Sequence, residues 1–143
     1  MSDTLSSIER DITIAAPLER VWELITRPEH VGRWFGDAGA EIDLRPGGEL
    51  TLHWEDYGTV HGHVERVDPM THFSWRWQQR DAGTTLVEFT LAATDEGTRV
   101  HVSESGWDAL DTTAETRKAW HADHEKGWGI ELGHLDEHSR VNV

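Results

Sequence analysis

The apolar positions change period along the chain, and the changes mark out its elements. Ile8, Ile12 and Ile14 fall on one side of residues 8–14 while Glu9, Asp11 and Thr13 fall on the other, the alternation of a strand with one wet face. Ala15-Ala16-Pro17 ends that strand, and proline suits the first turn of a helix. Val21, Trp22, Leu24 and Ile25 then form the apolar stripe of a short helix. Thr26-Arg27-Pro28 interrupts it, because a residue before proline avoids the helical region. A second short helix is predicted from Pro28 to about Trp34, and Trp34-Phe35 runs into Gly36 at a turn.

From there the period returns to two. Arg45-Pro46-Gly47-Gly48, Asp56-Tyr57-Gly58, Asp68-Pro69, Asp81-Ala82-Gly83 and Asp95-Glu96-Gly97 are turn signals, in which glycine supplies positive φ and aspartate bonds its own backbone. Between them lie Leu50, Leu52 and Trp54, then Val60 and Val64, then Phe73, Trp75 and Trp77, then Val87, Phe89 and Leu91, then Val100 and Val102. Six consecutive short strands joined by tight turns make an antiparallel meander. Its apolar face needs a cover, and one long helix supplies it from about Ala114 to Arg140. Thr112 or Thr113 is the predicted N-cap and Glu115 suits the first turn. At about 100° per residue, Trp120, His124, Trp128, Glu131 and Leu135 share a broad face of that helix. Gly127 and Gly129 each cost roughly 1 kcal/mol relative to alanine there, and their expected use is to let the helix backbone approach the sheet. One domain over residues 1–143 is expected, with an ordered core from about 8 to 138.

Charge narrows the partners. The 143 residues contain 27 acids against 13 Lys and Arg, a formal net charge of −14, which repels phosphate backbones and anionic lipid heads. Nucleic acid is not an expected partner. No apolar run approaches the ~18 residues of a membrane span and the first residues lack a signal-peptide core, so a cytoplasmic location is expected. There are no cysteines, which removes disulfides, thiolate ligands and cysteine nucleophiles. Eight tryptophans against one tyrosine supply stiff apolar walls with one donor each, suited to a packed core or to an aromatic-lined pocket.

The order β, α, α, six β, long α is restrictive, and local strings sharpen it. These are Ala16-Pro17 before Val21-Trp22, then Leu24-Ile25-Thr26-Arg27-Pro28-Glu29, Trp34-Phe35, and the Arg45-Pro46-Gly47-Gly48 turn. Gly62 with Val64, Val67-Asp68-Pro69, and Gly127-Trp128 with Leu132 and Leu135 complete the set. Over about residues 8 to 138 the chain resembles the SRPBCC (START-like, helix-grip) superfamily, in its Aha-type branch of activators of a heat-shock protein's ATPase. The resemblance implies an α+β helix-grip fold, a curved antiparallel sheet of about six to seven strands wrapped around the C-terminal helix. It also implies a cavity between sheet and helix for a small hydrophobic or aromatic molecule, with no cofactor. Two alternatives follow from the same superfamily: a cyclase or dehydratase, or a domain that contacts a heat-shock ATPase.

The candidate ligand-binding residues are Trp34 and Phe35, expected at the mouth, Trp54, Trp75 and Trp77 on the apolar strand parity, and Trp120, His124, Trp128 and Glu131 on the last helix. His124 and Glu131 lie seven apart, so they are nearly aligned. They are read as a pair that orients a polar end of the ligand or exchanges protons with it, or else as a partly solvated helix edge. Arg76 and Glu104 are second candidates for polar groups in the pocket. His61 and His63 share a strand face opposite Val60, Gly62 and Val64, which places them toward solvent, and His53 and His101 are candidates to approach across neighbouring strands. His134-Leu135-Asp136-Glu137-His138 matches the H-x-x-E-H pattern of inverted zinc peptidases, yet zinc needs a third ligand. Its expected place is the exposed end of the helix, and no metal site is assigned to it.

Overall fold

In the computed structural model, which describes residues 5–141, alternation and turn chemistry produce the expected elements almost residue for residue. Strand β1 (Ile8–Ile14) is followed by helices α1 (Leu18–Thr26) and α2 (Pro28–Trp34), then strands β2 (Ala40–Ile42), β3 (Glu49–Trp54), β4 (Gly58–Asp68), β5 (His72–Gln78), β6 (Thr84–Thr94) and β7 (Gly97–Ser105), and finally helix α3 (Ala114–Val141). Arg27 is extended between the two short helices and Pro28 opens the second, the steric consequence of a residue preceding proline. Thr113 caps α3, its Oγ1 accepting from the amide of Thr116 at 3.1 Å.

The seven strands form one antiparallel sheet in the order β1-β7-β6-β5-β4-β3-β2. Every neighbour in β2 through β7 is the next strand in sequence, as tight turns require, and β1 closes against β7. The register slips between Val64 and Arg66 where β4 meets β5, and a bulge of this kind bends the strand and deepens its twist. Gly62 sits opposite Trp77 on β5. A side chain there would collide with the backbone at Arg76 and Trp77, so this glycine is what lets β4 and β5 close beside a bulky indole.

The concave face buries Leu50, Leu52, Val64, Phe73, Trp75, Trp77, Val87, Phe89, Leu91, Val100 and Val102, and α3 covers it with Trp128, Leu132 and Leu135. On α1, Val21, Trp22, Leu24 and Ile25 are buried as the stripe predicts. The glycines of α3 have a different role from the expected one. Nothing lies within contact distance of a side chain built at Gly127 or Gly129, so neither brings the helix backbone onto the sheet. The large residues Trp128, Leu132 and Leu135 make the contact instead. No helix among the described residues is long and apolar enough to cross a membrane.

Candidate functional site

The inward parity of β7 runs Thr98, Val100, Val102, Glu104, and all four are buried. A carboxylate therefore stands where the pattern calls for a fourth core residue. Glu104 is fully enclosed, and an unpaired buried carboxylate costs several kcal/mol. Four donors meet it. His124 Nδ1 and Trp128 Nε1 from α3 reach Oε1 at 2.8 and 2.9 Å. Trp77 Nε1 from β5 and Thr85 Oγ1 from β6 reach Oε2 at 2.9 and 2.6 Å. Burial pushes the carboxyl's pKa up, but the bonds and charge of His124 and the bonds of Thr85 and Trp128 outweigh it, so Glu104 sits below the ordinary carboxylate value. It is ionised at neutral pH and ties the sheet to the helix.

The same two indoles hold a second arrangement. Phe35, just past the end of α2, stacks on Trp128 with centroids 5.1 Å apart and planes 16° apart, and on Trp77 at 5.5 Å and 28°. Trp54 and Trp75 present edges to it at 5.3 and 6.0 Å, and Trp54 Nε1 donates to the Phe35 carbonyl at 2.8 Å. Trp75 itself is buried among Phe35, Phe73, Trp77 and Phe89, and its indole N–H has no hydrogen-bond partner. Aromatic side chains thus occupy the space between sheet and helix where the helix-grip resemblance implies a cavity. Two open depressions lie elsewhere. One is a groove of about 450 Å³ lined by Trp22, Ile42, Leu44 and Met70 with a rim that includes Glu19, Glu23, Arg27 and Glu29.

The predicted site residues separate accordingly. Phe35, Trp54, Trp75, Trp77 and Trp128 come together, and His124 joins them edge-on to Trp77 at 5.8 Å. Trp34 and Phe35 are not at a mouth: both are buried, because Trp34 bonds the Leu24 carbonyl at 2.7 Å and packs on Phe89. Trp120 stands outside the ring cluster, half-buried beneath the Arg80 guanidinium at 5.9 Å. His124 and Glu131 do not form a pair. Their alignment on the helix is real, but His124 bonds Glu104 while Glu131 accepts from His134 Nδ1 at 2.9 Å. Burial raises the Glu131 pKa to about 7; the charge and hydrogen bond of His134 oppose the shift, and repulsion from Asp37 adds to it.

The remaining polar candidates resolve simply. Arg76 is on the solvent face, bonded to Glu65, so of the two second candidates only Glu104 points inward. His61 and His63 are exposed as expected. His53 bonds Glu41 and Thr59, whereas His101 lies between Glu9 and Asp11 across the sheet. β3 lies beside β4, so His53 sits on the strand next to His61 and His63, whereas β7 is not a neighbour of β4 and His101 is apart from them. The H-x-x-E-H segment is not wholly exposed either: His138 is buried, with Nε2 2.9 Å from Nδ1 of His30 on α2, while His134 remains half-exposed. No group of three metal-ligating side chains occurs among the described residues. Sequence reasoning missed Thr85 and Trp107. Thr85 lies on the inward parity of Val87, Phe89 and Leu91, a legible signal, whereas Trp107 is turned inward by the positive φ of Gly106, which no periodicity reveals.

Known proteins share this architecture. The family model described as Activator of Hsp90 ATPase homolog 1-like protein matches residues 15–139. Protein MLL2253 from Mesorhizobium loti superposes with a TM-score of 0.80 at 22% identity, over 96% of this chain and 100% of that one. The Aha1 dimer from Colwellia psychrerythraea gives 0.79 at 18% identity, over 96% and 98%. DynU16, of the dynemicin biosynthetic locus, gives 0.80 at 22% identity over 96% of this chain and 48% of its own length. At these identities the solved structures speak for the fold alone. No curated protein matches the chain by sequence.

Proposed function

The chain belongs to the Activator of Hsp90 ATPase homolog 1-like family, and within that helix-grip fold we propose that it binds a flat aromatic molecule between the sheet and α3. The observation that carries this reading is the stacking of Phe35 on two indoles, Trp77 and Trp128, which stand 6.4 Å apart with planes tilted by 39° and so form a corner around the phenyl ring. Those indoles are held in position by Glu104 rather than by Phe35. A corner whose two faces are fixed from behind accepts another planar ring when the phenyl group leaves. Phe35 follows the end of α2 and precedes Gly36, and a guest that displaces its ring competes with the bond from Trp54 Nε1 to its carbonyl. The unpartnered N–H of Trp75 adds a donor among the same rings, and satisfying such a group is worth about 1–3 kcal/mol.

Expelling a buried Phe side chain costs roughly 1.5–3 kcal/mol, which weakens apparent affinity by about one to two powers of ten. Phe35→Ala, with Phe35→Leu as the milder change, should therefore bind planar aromatic compounds about tenfold or more tighter than the parent, measured by quenching of tryptophan fluorescence. Folded variants that bind no member of a panel of polycyclic aromatics would remove the reading.

A second reading, contact with a heat-shock ATPase, draws on the family's description and on the open groove beside α1, where Trp22, Ile42, Leu44 and Met70 are ringed by charged side chains. It uses a different face and is compatible with the first.

A further inference from the structure

Resting on the aromatic-ligand reading above, we infer that the guest carries an acidic hydroxyl, a phenol or enol conjugated with its ring, and that His124 is the group that takes its proton. An ionised Glu104 can only accept hydrogen bonds, so the 2.8 Å contact puts the hydrogen of His124 on Nδ1. The two nitrogens of an imidazole point in nearly opposite directions. In the neutral ring Nε2 therefore presents a lone pair away from Glu104. That nitrogen has no hydrogen-bond partner among the described residues, and it is not enclosed. It opens to solvent on a side chain one quarter exposed. Its flanks are aromatic: Trp107 lies edge-on at 5.0 Å and Trp77 at 5.8 Å. Trp77 is also one of the two indoles on which Phe35 stacks.

A lone pair between aromatic walls selects a ring that brings a donor. A carboxylic acid arrives already ionised and has no proton to give. An ammonium could donate a hydrogen bond, but an amine whose pKa is about 10 does not give its proton to an imidazole, whose ordinary value is about 6.5. A phenolic or enolic O–H meets both conditions. The transfer is balanced: the O–H bond breaks, its electron pair stays on oxygen, and the proton forms an N–H bond at Nε2. A neutral phenol and neutral imidazole become a phenolate and an imidazolium. Glu104 then faces the imidazolium through Nδ1–H, the placement by which a buried carboxylate stabilises a charged histidine.

The test uses 7-hydroxycoumarin and 7-methoxycoumarin, which share a ring system and differ in the donor, at a pH one unit below the free hydroxyl's own pKa. Both should quench tryptophan fluorescence. The hydroxy compound should bind at least tenfold tighter and show the long-wavelength absorbance of its anion when bound. His124→Gln, whose amide can still donate to Glu104, should lose the anion band and the tenfold preference while keeping its melting temperature within a few degrees. Equal binding of the two compounds with no anion band overturns the proton transfer and leaves aromatic binding standing. Failure of both to bind overturns the aromatic-ligand reading and this inference with it. Nitrogen-15 NMR of the ligand-free protein tests the tautomer independently: His124 should carry its hydrogen on Nδ1, and a resonance pattern with the hydrogen on Nε2 would overturn the proposal whatever the ligands do.

Discussion

Two histidines of helix α3 each meet a glutamate at nearly equal distance, 2.8 Å for His124 with Glu104 on β7 and 2.9 Å for His134 with Glu131 on the helix itself. Their carboxylates shift in opposite directions. Glu104 is the more deeply buried, yet its pKa falls, whereas that of Glu131 rises to about 7. Burial alone pushes both upward. The difference lies in the donors: Glu104 receives hydrogen bonds from two indoles and a hydroxyl as well as from its histidine, while Glu131 has His134 and the repulsion of Asp37. At Glu104 the bond and charge of His124 oppose burial most, and the bonds of Thr85 and Trp128 add to them, whereas at Glu131 the bond and charge of His134 stand alone and burial prevails.

Removing Glu104 should produce the largest effect. Glu104→Ala strands donors from β5, β6 and α3 in the core, and breaking a buried charged network of this kind costs about 3–5 kcal/mol. Urea denaturation at pH 7 should show that loss; a loss below about 1 kcal/mol would mean that the network does not hold sheet and helix together. Next come the two histidines, compared directly. His124→Ala takes a charge-assisted bond from a buried acceptor and should cost about 1.5–3 kcal/mol. His134→Ala removes a half-exposed pair and should cost below about 1 kcal/mol. Equal costs would erase the distinction between the two ends of the helix.

The smallest effect is the most specific in pH. The pKa of Glu131 rises from an ordinary 4.5 in the unfolded chain to about 7 in the fold. Between those values the native state holds the extra proton, so stability declines as pH rises through the window and stays lower above it. Full conversion of that shift is about 3 kcal/mol, and solvent screening of a partly exposed, paired group reduces it to about 1 kcal/mol. Glu131→Gln should abolish the decline, gaining about 1 kcal/mol at pH 8 and nothing at pH 4. Glu104 has the opposite sign: its contribution is present above the ordinary carboxylate range and is lost as pH falls through its lowered value. Urea midpoints of the parent and of Glu131→Gln compared from pH 4 to pH 8 isolate the Glu131 contribution, because His30, His72 and His138, whose pKa values burial lowers, contribute alike to both.

Local pattern was enough for nearly all of the fold. The alternation from Ile8 to Ile14, the Arg27-Pro28 break and the Asp- and Gly-bearing turns each act within a few residues, so the chain itself states where strands and helices begin and end. Inward parity also placed Trp75, Trp77 and Val102 on the concave face, and the same parity extended two residues further names Glu104. The partners of these groups could not be reached that way. His124 and Glu131 lie on one side of α3 by helical arithmetic, but which carboxylate His124 meets depends on β7 lying under that turn, 20 residues away in sequence. Phe35 reads as a rim residue beside Gly36 until α2 docks and carries it onto indoles from β5 and α3. His138 reads as exposed until α2 brings His30 against it. Periodicity states which face of an element is buried; what fills the space opposite that face is set by packing between elements distant in the chain.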